Sequence, residues 1–394
     1  LRALGELALY RPVAGSFASY ADELIGPWAG FATGWTYWLM WITTVMAELT
    51  AIGIYAQYFV PALPQWVPGL AAIAFFLGTN LLSSRVFGEI EFWFAIVKVL
   101  AILLFIASGL ALILFGIGEL GDEASFANLV DHGGVFPRGM LGTLLALQIV
   151  TYAFLGVEMI GVTAGEAKDP ERVLPRAING VVVRVLLFYV GAVAIILALI
   201  PWDQVSDGES PFVLAWESLG IGAAAGILNA VVLSSALSSS NSGVFTTARM
   251  LHALAGRGQA PRALARLNRR RVPGRAVEAS AAVLLIGVAV NVAVPERAFA
   301  YITSVATVAV LWTWAIILVT HLAYRRRVAR GELPASPFRL PGAPWTNAVA
   351  LAYIALVAVL LAFDDDQRIA LVAGAIWAAL VAGGWVALRR RRTG

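Results

Sequence analysis

The sequence predicts an all-α integral membrane protein with many spans, on three observations. Of its 394 residues, 60% are hydrophobic and 13% charged, where a soluble domain carries about 25% charged residues. The mean hydropathy is +0.81, so most of the surface must face something other than water. Apolar runs such as FWFAIVKVLAILLFIASGLALILFG, from Phe92, are continuous rather than alternating. About 20 such residues cross the hydrocarbon core as a helix. Lipid gives the backbone no hydrogen bonds, which leaves only helices or a closed barrel. Barrel strands alternate apolar and polar residues, so the continuous runs exclude the barrel.

Residues 1–10 (LRALGELALY) read as the tail of an earlier helix, and a start at Leu1 rather than Met predicts a native start further upstream. Ten full spans follow, at about 28–59, 67–82, 92–115, 141–162, 182–200, 221–247, 277–293, 300–321, 345–363 and 369–388. They form one transmembrane domain over residues 1–394. The first span carries Glu48 and the third carries Lys98. In the fourth, glycines interrupt TYAFLGVEMIGVTAGEA at Gly156, Gly161 and Gly165. The sixth is crowded with hydroxyls and an amide: Ser234, Ser235, Ser238, Ser239, Ser240, Asn241 and Ser242.

The loops fix the orientation. Of 28 Lys and Arg, 24 fall in alternate connections, among them residues 168–184, 249–275, 325–339 and 389–392. The opposite connections hold only Arg138, Arg297 and Arg368, together with acids: Glu119, Asp122, Glu123, Asp203, Asp207, Glu209 and Asp364–Asp366. Basic loops stay cytoplasmic, so both ends of the chain are expected on the cytoplasmic side of a bacterial inner membrane. The net charge of +4 is therefore a topology signal, and no nucleic-acid partner is implied. There is no cysteine, so neither disulfides nor thiolate chemistry arise. No GxxxxGK[ST] loop or HExxH occurs, which argues against direct use of ATP and against a metalloprotease. No metal or cofactor is called for.

Ionisable groups inside the bilayer are costly, so each is a functional candidate. Trp41, Thr44, Val45 and Glu48 follow i, i+3, i+4, i+7 spacing and share a helix face. Glu48 either serves function or is a protonated group bonded to a neighbouring helix. Lys98 either snorkels to the cytoplasmic edge or gains and loses a proton inside the span. Glu158 lies among glycines that either break the helix to hold a substrate or allow close packing. The serines are either helix glue or ligands for a cation or substrate.

Long, ordered strings spread over nearly the whole chain then carry a resemblance. They are GELALYRPVAGSF, FATGWTYWLMW, MAELTAIG, RVFGEIEFWFAIVKV, GVEMIGVTAGEAKDPERVLPRAIN, LIPW, SPFVL and NSGVFTTARMLHALAGRGQAP. The sequence resembles the amino acid–polyamine–organocation superfamily, in particular bacterial amino-acid permeases for aromatic residues, proline, glycine/alanine and γ-aminobutyrate. The serine-rich string and SPFVLAWESLGIG look most like proline-type members. The resemblance implies the leucine-transporter fold, two inverted five-helix repeats plus two helices. Residues 92–115 would be helix five and 141–162 helix six, with helix one and most of helix two preceding this chain. Helix one would hold the substrate carboxylate.

On the same resemblance the helix-six break falls around Phe154–Gly156, with Tyr152 at an aromatic gate and carbonyls facing the substrate ammonium. Glu158 sits on that break. Met40, Trp41, Val45 and Glu48 would face the substrate from helix three. Lys98 matches the lysine that replaces a sodium ion in proton-coupled relatives, and Ser235 and Ser238 would flank it from helix eight. The implied activity is symport of a small neutral amino acid, driven by the proton gradient. An exchanger without net proton flux, and a non-transporting sensor or partner subunit, are the alternatives; the oligomeric state is left open.

The topology is testable directly. A reporter fused after Arg271 should be active in the cytoplasm and one fused after Asp366 should be external. Reporters on the same side would overturn the span count.

Overall fold

The computed structural model describes residues 1–13, 15–82, 84–116, 124–164, 169–205, 212, 215, 222–363 and 368–393. Several positions named above lie outside the described residues: Gly165, the acids Glu119, Asp122, Glu123, Asp207, Glu209 and Asp364–Asp366, and most of SPFVLAWESLGIG. Among the described residues there are helices and turns and no strand.

The helices are α1 (Arg2–Tyr10), α2 (Ser16–Leu24), α3 (Pro27–Phe59), α4 (Trp66–Leu81), α5 (Ser84–Phe115), α6 (Gly139–Ala153) and α7 (Met159–Thr163). Then come α8 (Pro170–Leu199), α9 (Gly222–Gly256), α10 (Gly274–Ala293), α11 (Pro295–Ala329), α12 (Trp345–Leu360) and α13 (Arg368–Thr393). Proline opens α3, α8 and α11, where its missing N–H leaves no intrahelical bond unmade. Among the described residues, six helical stretches are long and apolar enough to cross a membrane: Pro27–Phe59, Glu91–Phe115, Pro170–Leu199, Gly274–Ala293, Pro295–Ala329 and Arg368–Arg391. α4, α6 and α12 are shorter apolar helices.

Two features differ from the hydropathy reading. The span at 141–162 is two helices, α6 and α7, separated by turns over residues 154–158. Several helices also run past their apolar stretches: α5 starts at Ser84, α9 ends at Gly256 and α11 ends at Ala329. Hydropathy marks where the bilayer ends, whereas a helix goes on until something stops it. Within α8, Val185–Gly191 widens into a π-helix, a geometry frequently met at functional sites.

α3 is the central post. It is largely buried and packs against α9, α11, α2, α10, α4 and α13. In contrast, α13 exposes almost all of its length, as a lipid-facing rim should. With no hydrophobic drive between helices in lipid, small residues at contacts let backbones approach. A Cβ on Gly243 of α9 would lie 2.6 Å from Val45 Cγ2 and 2.8 Å from Trp41 Cε3.

A buried polar cluster ties the first helix to the last third of the chain. Glu6 and His321 are 1% and 0% exposed. Glu6 accepts from Arg325 Nη1 (3.0 Å) and from the Leu340 N–H, and lies 2.9 Å from His321 Nε2. Asn347 Nδ2 donates to His321 Nδ1 at 3.1 Å, which leaves the imidazole proton on Nε2, pointing at Glu6. Breaking a buried charged network costs about 3 kcal/mol, whereas an exposed pair contributes under about 1 kcal/mol. Glu6→Ala should therefore lower the melting temperature in detergent by several degrees. Glu332→Ala, which breaks only the 3.7 Å surface contact with Arg330, should leave it in place.

Candidate functional site

The break between α6 and α7 is built from local sequence. α6 stops at Ala153, and the chain turns through Phe154 N–H to Thr151 O (3.2 Å) and Leu155 N–H to Tyr152 O (2.9 Å). Gly156 then takes φ +98°, a left-handed conformation that a side chain would strain. The Tyr189 hydroxyl, from the π-helical part of α8, donates to Ala153 O at 3.1 Å. Its ring stacks on Phe154 with centroids 5.1 Å apart at 10°. A carbonyl has two lone pairs, so those in the turn keep acceptor capacity beyond these bonds.

Glu158 closes the break. It is 1% exposed, and its Oε2 accepts from Gly156 N–H (3.2 Å) and Trp314 Nε1–H (3.3 Å). Its Oε1 has no hydrogen-bond partner of good geometry, and neither do Trp41 Nε1 or Tyr37 Oη beside it. Glu158, Tyr37 and Trp41 interact with one another as one loosely bonded buried polar cluster beside the broken helix, which leaves acceptor capacity on Glu158 Oε1. A cavity of about 310 Å³ adjoins it, lined by Leu4, Phe154, Val157, Glu158, Trp314 and Tyr353 among others, with Glu158 its one acidic side chain. A larger groove of about 430 Å³ between α3, α11 and α13 is walled by tryptophan and aliphatic residues and carries no such group.

The second polar centre lies between α5, α9 and α4. Lys98 Nζ donates to Ser238 Oγ at 2.7 Å, and Ser238 Oγ donates to Glu91 Oε2, also at 2.7 Å. Asn241 Nδ2 donates to Glu91 Oε1 at 3.1 Å. Thr79 Oγ1 and Asn80 Nδ2 both donate to Asn241 Oδ1, at 2.7 and 2.8 Å.

α3 stands between the two centres. Trp41 lies against Gly156 on one side and Gly243 on the other. Glu48, two turns further on, is within electrostatic reach of Lys98, Tyr55 and half-buried Tyr152. Met40 and Val45 sit in apolar clusters, Met40 with Leu4 and Leu254, Val45 with Phe76 and Val244. Ser235 is half-buried one helical turn before Ser238. Glu91, Thr79 and Asn80 are site groups that hydropathy passes over. The signal for Glu91 is its spacing: seven residues before Lys98, two turns along one helix face.

An apolar helical bundle with one helix broken at a buried acid, and a lysine hydrogen-bonded between two others, defines a polytopic membrane transporter rather than an enzyme. The chain belongs to the amino acid permease family, whose sequence model matches residues 1–392. It is 48% identical over 377 residues to the uncharacterized amino acid permease YtnA of Bacillus subtilis, covering 96% of this chain and 81% of that one. Identity is 42% over 382 residues with the probable threonine/serine transporter YbxG of the same organism, covering 97% of this chain and 82% of the relative. It is 43% over 396 residues with the D-serine/D-alanine/glycine transporter of Escherichia coli, covering 100% and 84%.

The glycine contacts give an ordered set of stabilities. Gly243→Ala overpacks α9 against α3, at about 1–3 kcal/mol, and Gly156→Ala strains a left-handed residue, at about 1–2 kcal/mol. Both should melt earlier than wild type in detergent. Gly78→Ala, with nothing within 4 Å of the new Cβ, should melt at the same temperature or slightly higher, because Ala favours the helix.

Proposed function

We propose that this permease is a proton-coupled symporter that carries a small neutral amino acid into the cytoplasm by alternating access. The observation that carries the proposal is the Lys98–Ser238 hydrogen bond, 2.7 Å, joining α5 to α9 inside the membrane. A charged ammonium makes a stronger hydrogen bond than a neutral amine. The tie between α5 and α9 is therefore tight with the proton on and loose with it off, and the two protonation states favour different gate positions. The substrate ammonium fits the α6–α7 break, where Glu158 Oε1 and the turn carbonyls are acceptors. The substrate side chain lies against Trp41, Tyr152 and Phe154, a compact aromatic wall suited to a small apolar or hydroxyl group. Glu48 lies between the two centres on α3, placed to couple them.

The relatives support the substrate class: one is a probable threonine/serine transporter and one a D-serine/D-alanine/glycine transporter. The basic-loop asymmetry supports ten spans, a bacterial inner membrane and cytoplasmic ends.

The test is uptake into proteoliposomes of radiolabelled L-serine, L-threonine, glycine, D-alanine and L-proline under an imposed proton gradient. Wild type should concentrate at least one of them. Lys98→Ala should abolish that accumulation while retaining counterflow, and Lys98→Arg should do the same, because guanidinium does not release its proton. Accumulation by Lys98→Ala equal to wild type would refute the coupling role. Wild-type counterflow without gradient-driven accumulation would make the protein an exchanger.

A further inference from the structure

Glu91 has no part in the scheme above, yet it ends the hydrogen-bond chain that begins at Lys98. We propose that Lys98, Ser238 and Glu91 form a proton relay through which the coupling proton leaves for the cytoplasm, with Glu91 as its acceptor. The inference rests on Lys98 being the proton carrier.

Three features argue for a relay. The first is polarity. An ammonium can only donate and an ionised carboxylate can only accept. Ser238 Oγ receives from Lys98 and gives its single hydrogen to Glu91 Oε2, each at 2.7 Å. The wire therefore points one way. The second is the fixed end. Both donors on Asn241 Oδ1, Thr79 and Asn80, orient that amide so that its Nδ2 faces Glu91 Oε1. Oε1 is thus occupied and Oε2 is left to take the proton. The third is direction. Glu91 precedes Lys98 by seven residues, about 10 Å along the axis at 1.5 Å per residue, toward the end of α5 that the basic loops place in the cytoplasm.

The step balances. An Nζ–H bond of Lys98 breaks as that proton bonds to Ser238 Oγ. The hydroxyl's own O–H breaks as its proton bonds to Glu91 Oε2. Ammonium and carboxylate become amine and carboxylic acid, with nothing oxidised or reduced. The pair's net charge is zero before and after, so the transfer leaves no unpaired charge in a low-dielectric interior, which would be the expensive outcome. Glu91 then gives its proton to cytoplasmic water, and the hydroxyl rotates back. Glu48, from α3, is the other acid that Lys98 senses. Ser238 is the acceptor that Lys98 Nζ reaches, which favours the Glu91 branch.

The experiment uses the purified protein in proteoliposomes with whichever of the five amino acids wild type accumulates most. It reads gradient-driven uptake, substrate-driven proton flux by lumenal pyranine, and counterflow, which needs no proton release. Glu91→Gln should cut uptake and proton flux at least tenfold while keeping counterflow within about twofold of wild type, and Ser238→Ala, which also breaks the tie to Lys98, should cut uptake and proton flux at least as far. Ser238→Thr, which keeps the hydroxyl, should restore both. Counterflow also reports folding, and if one variant fails to fold the other decides. Wild-type proton flux in either folded variant overturns the relay. Equal loss of counterflow and uptake in folded Glu91→Gln also overturns it, making Glu91 a structural counter-ion. If Lys98→Ala itself retains proton-driven uptake, the carrier assignment fails instead.

Discussion

Hydrocarbon offers a peptide group nothing to bond to, and the rest of this structure is arranged around that constraint. Wherever a helix continues, the backbone satisfies itself. Wherever it stops, side chains must supply what the next turn would have supplied. At the α6–α7 break, Tyr189 answers the Ala153 carbonyl and Glu158 answers the Gly156 amide. Tyr189, unlike Glu158, is not conspicuous by polarity alone. Each stands where it does because the main chain there has lost a partner.

α3 converts these local answers into one device. It is the most enclosed long helix and carries Trp41 beside the break and Glu48 beside the lysine centre. Gly243 brings α9 close enough to hold Trp41 and Val45 in place. Close packing makes such a post rigid, and small shifts on one side are passed on rather than absorbed. An alternating-access transporter needs that property, because an event at one polar centre must be felt at the other.

Much of this was legible in the sequence, for a physical reason. Lys98, Glu48 and Glu158 stand out because charge inside an apolar run is costly, and Gly156 because glycine tolerates the conformation a break requires. Apolar run length located the helices but not their ends, since helices outlast the bilayer. That is why Glu91, one residue before the run at 92–115, escaped notice although it shares a helix face with Lys98. α2 lies between α1 and α3, too short and too polar for hydropathy to register. The Glu6–His321–Asn347 cluster joins residues more than 300 positions apart, and no local pattern encodes that meeting.

The π-helical stretch Val185–Gly191 gives the fold an unusual sensitivity to counting. A wide turn holds one residue more than an α turn, so everything beyond it is rotated by about 100° relative to a continuous α-helix. Tyr189 reaches Ala153 from within that stretch. Shortening the segment by one residue could leave its hydropathy, charge and length nearly unaltered and still turn the tyrosine away from the carbonyl it serves. At this point of the protein, information resides in phase rather than in composition. Substitutions that keep the count are repairable by neighbours, while an insertion or deletion is not.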